Sequence, residues 1–275
     1  QDGMEDRKPL IAKVYRPERW SEGEMLEEDQ FRLERQGAEM SVVATMVNDR
    51  GATLHTFEGF QFALFLRRGG YPPELDNLDN MLVLGRTLGR IHAVGRAAQF
   101  KVRHSMSVQR MLSDSRALLL EKFIPRDLVP AYESLTADLE QQVRSVFSEV
   151  QPEDFIRIHG DCHVGNILWR DNTAHFVDFD DCCAAPAMQD LWMFLNGERH
   201  DRQLQLSELV EGYSEFCDFD PRQIRWIETL RTLRLIHYAA WLGRRWEDPA
   251  FPRSFTWFNT ERSWADHILE LREQM

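Results

Sequence analysis

The chain has 275 residues, of which 43% are hydrophobic and 28% charged, a composition typical of a folded soluble protein. The length predicts about two domains or lobes, and the net charge of −12 argues against a general nucleic-acid binder, since phosphate contacts require a basic surface. Four cysteines are too few for a disulfide scaffold and match no four-ligand zinc pattern, so reduced thiols in the cytoplasm are expected.

The N-terminal part predicts a small sheet with one helix. Residues 10–15 are a short apolar run with a single lysine, Lys13, which is typical of a strand. Ser21 and Glu24 have the spacing of a capping box, so we expect a helix from there to about Arg35. Three further strands are predicted at 42–47, 52–57 and 60–66.

Glycine and proline interrupt the chain at residues 67–73, which predicts a hinge between an N-terminal lobe at 1–66 and a C-terminal lobe at 74–275. Beyond the hinge the apolar spacing becomes helical. It predicts helices near 78–92, 128–150, 204–216, 224–246 and 261–275. Two short apolar runs, 155–158 and 175–177, are expected to pair like a hairpin around a central loop.

That central loop contains the residues with the clearest chemistry. Asp161 stands five residues before Asn166, and Asp178 follows twelve residues after Asn166, at the end of an apolar run. Phosphoryl transfer from ATP needs one carboxylate to orient the attacking hydroxyl, and an Asn oxygen with a second carboxylate to hold Mg²⁺ against the phosphates. The spacing therefore predicts Asp161 as a catalytic residue, and Asn166 and Asp178 as metal ligands.

Other interpretations of this loop explain less. Turns are rich in Asx residues and glycine, but a turn does not account for the second acidic cluster. His159 and His163 could ligate zinc, yet no further ligands stand at matching spacing. We predict His159, together with Asp161, as a catalytic residue of this loop, and we expect its side chain to hydrogen-bond the backbone and hold the loop. Residues 177–180 also resemble the start of a haloacid-dehalogenase-like phosphatase, but they lie too deep in the chain.

Lys13 is the second element of the predicted site. A lone strand lysine is usually a solvated edge charge, whereas in a kinase-like lobe it contacts nucleotide phosphates and pairs with a helix glutamate. Glu27 or Glu28 is expected to face it, so these three residues form the predicted nucleotide-binding set. Asp190 begins an apolar helix, where it either favours the helix dipole or braces the backbone of 159–161 as structural support.

Taken together, these motifs resemble a known group of enzymes. The pattern from His159 to Asn166, then 177–180, then Asp190 with Leu191, is similar to the aminoglycoside phosphotransferase and choline kinase group of protein-kinase-like enzymes. One branch of that group, the bacterial stress response kinase A family, is similar over nearly the whole chain. The segments that carry this likeness are 13–20, 88–92, 161–171, 189–193 and 240–252.

The resemblance implies an α+β, bilobal protein-kinase-like fold, with a small N-terminal antiparallel sheet lobe with one helix and a larger, mainly helical C-terminal lobe. It also implies a cytoplasmic Ser/Thr protein kinase of stress response that uses ATP and magnesium. In that family's terms Asp161 is the base, Asn166 and Asp178 bind magnesium, and Lys13 contacts the nucleotide. Only twelve residues, without a glycine-rich phosphate loop, precede Lys13, so the N-terminal lobe is expected to be incomplete upstream.

The expected partner is a protein substrate with a Ser or Thr acceptor, and neither a nucleic acid nor a membrane is expected. No apolar run approaches the ~20 residues of a membrane span. The acidic balance leaves open a small-molecule acceptor such as an aminoglycoside, choline or homoserine. A third hypothesis is a non-catalytic, pseudokinase-like binding module. Cys162, which lies between two residues of the predicted catalytic loop, suggests redox control.

Overall fold

The structure is a computed structural model that describes residues 9–17, 19–37, 43 and 45–275. A small antiparallel sheet with one helix precedes a larger, mainly helical part, which confirms the predicted α+β class. The chain forms two compact units. One contains the residues up to Ser105 together with Phe155–Asp220, and the other contains Met106–Asp154 with Pro221–Met275. The lobe boundary at 67–73 stays a prediction.

The N-terminal sheet consists of β1 (Leu10–Val14), β2 (Leu54–Phe57) and β3 (Phe60–Leu66), in the order β1-β3-β2 with antiparallel pairing. Lys13 lies opposite Ala63 of the central strand. The turn between β2 and β3 has positive φ at Glu58 and Gly59, as a tight two-residue hairpin requires. The predicted strand at 42–47 lies partly outside the described residues, within which Thr45 makes one bridge to β3.

Helix α1 (Glu22–Gly37) begins at the predicted capping box. The Glu24 carboxylate accepts the Ser21 N–H at 2.8 Å, and the Ser21 hydroxyl accepts the Glu24 N–H at 3.3 Å. These two bonds satisfy backbone donors that have no partner inside the helix. Met25 is buried with three residues of the sheet region, Tyr15, Ala63 and Phe65.

Helices α2 (Leu78–Arg96) and α6 (Arg199–Ser214) pack against each other through glycines. A side chain at Gly85 would overlap the carbonyl oxygen of Leu209, and one at Gly212 would overlap that of Leu82. The two backbones therefore approach more closely than ordinary side chains allow. This packing fixes α2, which carries His92 toward the central loop.

Four short strands surround the central loop. They are β4 (Phe155–Ile158), β5 (Ile167–Arg170), β6 (Thr173–Phe176) and β7 (Cys183–Pro186). The predicted pairing of 155–158 with 175–177 is wrong, because β4 pairs with β7 and β6 pairs with β5. Positive φ at Asp171 and Asn172 closes β5 and β6 into their own tight hairpin. The next helix, α5 (Met188–Leu191), follows β7 after one residue.

The second unit is helical. It contains α3 (Asp114–Lys122), α4 (Val129–Phe147), α7 (Ile227–Gly243), α8 (Ala250–Ser254) and α9 (Glu261–Arg272). The predicted apolar stripe of α7 is buried at Leu230, Leu233, Ile236 and Ala240, whereas Trp226 belongs to a preceding 3-10 turn. The chain enters α3 through a π-helical turn, Gln109–Ser113, that the sequence did not predict. Within the described residues, every helix is too short or too polar to cross a membrane.

Gly85→Ala is expected to lower the free energy of unfolding by about 1–3 kcal/mol, because the added methyl group must push α2 away from α6. Chemical denaturation followed by tryptophan fluorescence measures this change. The control is Gly69→Ala, since a side chain at Gly69 meets nothing within 4 Å. Equal effects of the two substitutions would contradict the close packing of these helices.

Candidate active site

The loop between β4 and β5 follows a tightly constrained course. Gly160 has φ of 86°, and a side chain there would overlap the carbonyl oxygen of Asp181, so this turn requires glycine. A short 3-10 turn, Val164–Asn166, follows. His163 caps it, because the ring Nδ1 of His163 accepts a hydrogen bond from the Gly165 N–H at 3.0 Å.

Asp161 and Asn166 face each other across this loop. The Asn166 side-chain amide donates to the Asp161 carbonyl oxygen at 3.0 Å and to its carboxylate Oδ2 at 3.4 Å. The amide oxygen of Asn166 therefore points away from Asp161. The Val177 N–H donates to the Asn166 carbonyl oxygen at 3.0 Å, which brings Asp178 beside Asn166. The structure thus brings Asp161, Asn166 and Asp178 together.

Asp178 lies at a backbone turn that is uncommon for a residue with a side chain. Its φ of 58° and ψ of 67° are left-handed, a conformation that Asp tolerates better than most residues. The carboxylate is about half exposed and accepts a hydrogen bond from Lys13 Nζ at 2.9 Å. Partial burial would raise the pKa of Asp178, but the Lys13 ammonium outweighs it and lowers the pKa. Asp178 is therefore ionised near neutral pH.

Lys13 lies among three carboxylates. Its Nζ is 2.9 Å from Asp178 Oδ1 and 3.6 Å from Glu28 Oε1, and it also contacts the Asp180 carboxylate. Burial alone would lower the pKa of Lys13, but Glu28, aided by Asp180 and Asp178, raises it above its usual value. Lys13 therefore stays protonated and is not the solvated edge charge of the alternative interpretation.

The two glutamates of α1 have different partners. Glu28 is fully buried and faces Lys13, while also contacting Arg32 and the Arg103 Nη2 at 2.8 Å. Glu27 turns to the backbone of the following segment. Its carboxylate accepts the N–H groups of Lys101 at 2.6 Å, Val102 at 3.0 Å and Arg103 at 2.8 Å. The structure therefore brings Glu28, and not Glu27, to Lys13.

Arg103 is a site residue that the sequence did not predict. Besides Glu28, its guanidinium donates to the carbonyl oxygens of Glu24 at 2.8 Å, Asp180 at 2.7 Å and Cys182 at 2.8 Å. It thereby joins α1 to the segment that follows Asp178. Nothing in the local sequence distinguishes Arg103 from a surface arginine, because its four partners come from distant parts of the chain.

Arg19 is a second such residue, and here a sequence signal existed. Its guanidinium donates to the carboxylates of Asp180 at 3.3 Å and Asp181 at 3.0 Å. Arg19 lies in the Arg-Pro-Glu-Arg-Trp segment that carries part of the family resemblance. Burial raises the pKa of Asp181, and Arg19 opposes that rise.

Asp190 is fully buried and contacts the backbone of the catalytic loop. One carboxylate oxygen accepts the His159 N–H at 2.8 Å, and the other accepts the Gly160 N–H at 2.9 Å. The ring Nε2 of His92 lies 2.9 Å from the same carboxylate, and its Nδ1 lies 3.1 Å from the Tyr213 hydroxyl. Burial would raise the pKa of Asp190, but the His92 hydrogen bond and the backbone donors lower it.

Both ring nitrogens of His159 are engaged by the backbone. The Nε2 lies 2.8 Å from the Val177 carbonyl oxygen, and Nδ1 accepts the Asp161 N–H at 3.2 Å. Burial lowers the pKa of His159, which keeps the ring neutral. His159 was grouped with the catalytic residues, but these contacts give it a supporting role between Asp161 and Val177 and leave no nitrogen for zinc.

An adjoining cavity of about 400 Å³ opens beside Lys13 and Asp178. This volume is within the range of small-molecule sites. Its walls are mainly apolar side chains of β1, β3 and β5, with two arginines and the two site residues. The lining residues are Ile11, Ala12, Lys13, Arg32, Val43, Phe65, Leu66, Arg68, Leu168, Val177 and Asp178.

The donor set suits a cation that phosphate oxygens help to hold. Asn166 and Asp178 offer one amide oxygen and one carboxylate, which matches the few protein ligands that Mg²⁺ takes beside substrate phosphates. The Asp178 carboxylate already pairs with a cation, the Lys13 ammonium. In the described part of the chain, no cluster of three His, Cys, Asp or Glu side chains is able to hold a metal alone.

The cysteines near the loop are buried thiols. Burial raises the pKa of Cys162, and it raises the pKa of Cys182 to about 12. A thiol must ionise to react, so both are unreactive in this conformation.

Comparison with known proteins gives one consistent result. The sequence model of the phosphotransferase enzyme family matches residues 3–227. The chain is 43% identical over 273 residues to stress response kinase A of Escherichia coli (strain K12), covering 98% of this chain and 81% of that protein. It is 42% identical, with the same coverage, to the serine/threonine protein kinase RdoA of Salmonella typhimurium.

Solved structures share the fold at lower identity. Amicoumacin kinase hAmiN, in complex with AMP-PNP, Ca²⁺ and Ami, matches with a TM-score of 0.75 and 18% identity, covering 96% of this chain and 80% of that one. A microcompartment-associated aminopropanol kinase matches with a TM-score of 0.73 and 17% identity, covering 98% and 84%.

Asp190→Asn is expected to lower the free energy of unfolding at pH 7 by about 2–4 kcal/mol, since buried donors lose a charged acceptor. The folded-state pKa of Asp190 is lowered, so this contribution should be complete above the ordinary pKa of about 4 and lost as the pH falls through the folded-state pKa. Chemical denaturation of wild type and variant at pH 7, 5 and 3.5 measures the difference between their free energies of unfolding.

The matched control is Asp171→Asn, whose side chain is 85% exposed and which should change stability by less than about 0.5 kcal/mol. If the stability difference between wild type and Asp190→Asn increased toward pH 3.5, this result would contradict the conclusion that the Asp190 carboxylate is ionised and hydrogen-bonded.

Proposed function

Because the chain belongs to the phosphotransferase enzyme family and, within it, to the stress response kinase A family, we propose that this kinase transfers the γ-phosphoryl group of ATP, with Mg²⁺, to a Ser or Thr hydroxyl of a protein. The observation that carries this proposal is the meeting of Asp161, Asn166 and Asp178 beside Lys13. Positioning and charge stabilisation are the main contributions that a protein makes to phosphoryl transfer. This set provides both.

Asp161 orients the acceptor hydroxyl and takes its proton. Its carboxylate is partly exposed and is held by the Asn166 amide at Oδ2, so the group is fixed yet reachable. The backbone around it is fixed by Gly160, His159 and Asp190. A base held in place by its surroundings contributes about 10²–10⁴ in rate.

Asn166 and Asp178 would hold the divalent metal ion that accompanies the nucleotide. The amide oxygen of Asn166 points away from Asp161, and the Asp178 carboxylate is ionised and half exposed. Bound Mg²⁺ would supply charge neutralisation for the phosphoryl oxygens. The structure of amicoumacin kinase in complex with AMP-PNP and Ca²⁺ supports the pairing of a nucleotide with a divalent ion in this fold.

Lys13 contacts the nucleotide phosphates, and Glu28 holds Lys13 in place. Lys13 lines the 400 Å³ cavity, whose apolar walls suit the flat adenine ring. Phosphate oxygens would replace Asp178 and Asp180 as partners of Lys13, while Glu28 remains fixed by Arg32 and Arg103.

A protein acceptor is favoured by the names of the relatives, which are 42–43% identical and include a serine/threonine protein kinase. We place the reaction in the cytoplasm, as part of a response to stress. A small cationic acceptor is the second candidate. It is favoured by the four carboxylates of Asp161, Asp178, Asp180 and Asp181, which attract positive charge.

The acceptor class is tested by incubating the protein with labelled ATP, Mg²⁺ and either a mixture of protein substrates or a panel of choline, homoserine and aminoglycosides. Label in Ser and Thr residues supports the proposal. Label transferred only to members of the small-molecule panel would favour the second candidate and reject a protein acceptor.

Asp161→Asn should reduce phosphoryl transfer by about 10²–10⁴-fold, because the amide cannot take the hydroxyl proton. ATP affinity should change little, since Asp161 is assigned to the acceptor side. Initial rates with labelled ATP, together with calorimetric titration of Mg-ATP, separate the two effects. Asp171→Asn is the control and should keep the wild-type rate. Equal label transfer by wild type and Asp161→Asn would remove the role assigned to Asp161.

Lys13→Met should lower kcat/KM for ATP by about 10–100-fold, the value of one or two charge-assisted hydrogen bonds. The KM for the acceptor should stay the same, because Lys13 is assigned to the nucleotide alone. Steady-state kinetics with each substrate varied in turn checks this split. Lys122→Met, at an exposed position at the end of α3, is the matched control. A change confined to the acceptor KM would contradict the assignment.

A further inference from the structure

Arg35, near the end of α1, is a fully buried arginine with an unusual environment. None of its three guanidinium nitrogens has a hydrogen-bond partner among the described residues. The other buried arginines of this region differ in this respect, since Arg32 pairs with Glu28, and Arg103 binds a carboxylate and three carbonyl oxygens.

The guanidinium of Arg35 instead lies between two aromatic rings. Its central carbon is 3.6 Å from the centre of the Phe179 ring and 4.1 Å from that of Phe31. A planar cation over the face of an aromatic ring is attracted by the ring quadrupole, and this attraction is stronger where water is excluded.

This arrangement is a poor way to stabilise the fold. Burial, together with the neighbouring Arg32 charge, lowers the pKa of Arg35 to about 9, which still leaves the group charged near neutral pH. A buried charge without a hydrogen-bonded partner is costly, and an apolar side chain of similar length usually fills such a position at lower cost. The stability of the fold therefore does not account for arginine at position 35.

The ring that Arg35 contacts belongs to the residue directly after Asp178. Phe179 is itself buried, and its ring centre lies 4.2 Å from that of His159. Asp178 has the left-handed backbone described above, and His159 accepts the Asp161 N–H. Phe179 therefore connects Asp178, the proposed metal ligand, with the loop that carries Asp161, the proposed base.

We propose that Arg35 is a positioning residue for the metal site: its guanidinium fixes the Phe179 ring and, through it, the left-handed turn that directs the Asp178 carboxylate. This inference rests on the proposed function, because it takes Asp178 as a metal ligand. Helix α1 then acts on the site twice, through Glu28 on Lys13 and through Arg35 on the loop of Asp178. The planar guanidinium at position 35 is therefore explained by the geometry of that loop.

The test substitutes Arg35→Met in the full chain, which removes the charge and the planar group but keeps the length of the side chain. Binding of Mn²⁺ in the presence of AMP-PNP, followed by water-proton relaxation, reports the metal site without turnover. We expect at least a tenfold weaker Mn²⁺ affinity, with a midpoint of chemical denaturation equal to or above that of wild type. In the kinase assay, excess Mg²⁺ should restore much of kcat, and the acceptor KM should not change.

Arg90→Met is the matched control, since the guanidinium carbon of Arg90 also lies over an aromatic ring, 4.2 Å from the centre of Phe216, but the residue is exposed. It should keep the wild-type Mn²⁺ affinity. Arg35→Lys, which keeps the charge and loses the planar face, provides a second variant if Arg35→Met does not fold. Phe179→Leu should weaken Mn²⁺ binding as Arg35→Met does, and the double variant should be no weaker than either single one.

One outcome is that Arg35→Met or Arg35→Lys keeps the wild-type Mn²⁺ affinity while Asp178→Asn loses it. This outcome would overturn the role of Arg35 and leave the proposed function intact. A wild-type affinity in Asp178→Asn would instead overturn Asp178 as a metal ligand, and the Arg35 inference with it. A fall in the denaturation midpoint of Arg35→Met with unchanged Mn²⁺ affinity would show that Arg35 serves only the fold.

Discussion

The buried carboxylate of Glu28 is the interaction on which the proposed nucleotide side of the site depends. It is reached by Lys13 from β1, by Arg32 from its own helix and by Arg103 from the segment after α2. A carboxylate with no access to water is stable only when its charge is compensated, and three cations supply that compensation here. Because Arg103 also binds the carbonyl oxygens of Asp180 and Cys182, the same group reaches the loop of Asp178.

A second buried carboxylate, Asp190, organises the other half of the site. The Asp190 oxygens accept hydrogen bonds from the backbone N–H groups of His159 and Gly160. The partner of Asp190, His92, lies on α2, which packs closely against α6 because glycines stand at the contact. These backbone contacts therefore help to set the position of Asp161, whose carboxylate also accepts a hydrogen bond from the Asn166 amide. Catalytic groups held in this way need little reorganisation during the reaction, which is the main benefit of a preorganised site.

The sequence predicted the residues with local signals and missed those with only distant ones. The capping box at Ser21 and the apolar stripe of α2 depend on neighbours three or four residues away, and both predictions were confirmed. The pairing of β4 was wrong, because apolar runs do not encode which distant strand they meet. The choice between Glu27 and Glu28 also required the structure, since adjacent helix positions differ by 100° in direction and both suited the pattern. Arg103 and Arg35 take their roles wholly from tertiary contacts, which composition and spacing cannot indicate.

The three contacts of Lys13 have a consequence for the order in which ligands enter. In this structure the Lys13 ammonium contacts the carboxylates of Asp178 and Asp180, and Asp180 also pairs with Arg19. Under the proposed function, a nucleotide without metal would take Lys13 away and leave the Asp178 carboxylate facing phosphates, an arrangement that like charges oppose. Arrival of the nucleotide and the divalent ion as one complex would allow a simultaneous exchange of partners, in which the divalent ion takes the place of the ammonium beside Asp178. The proposed kinase is therefore expected to prefer the metal-loaded form of its nucleotide.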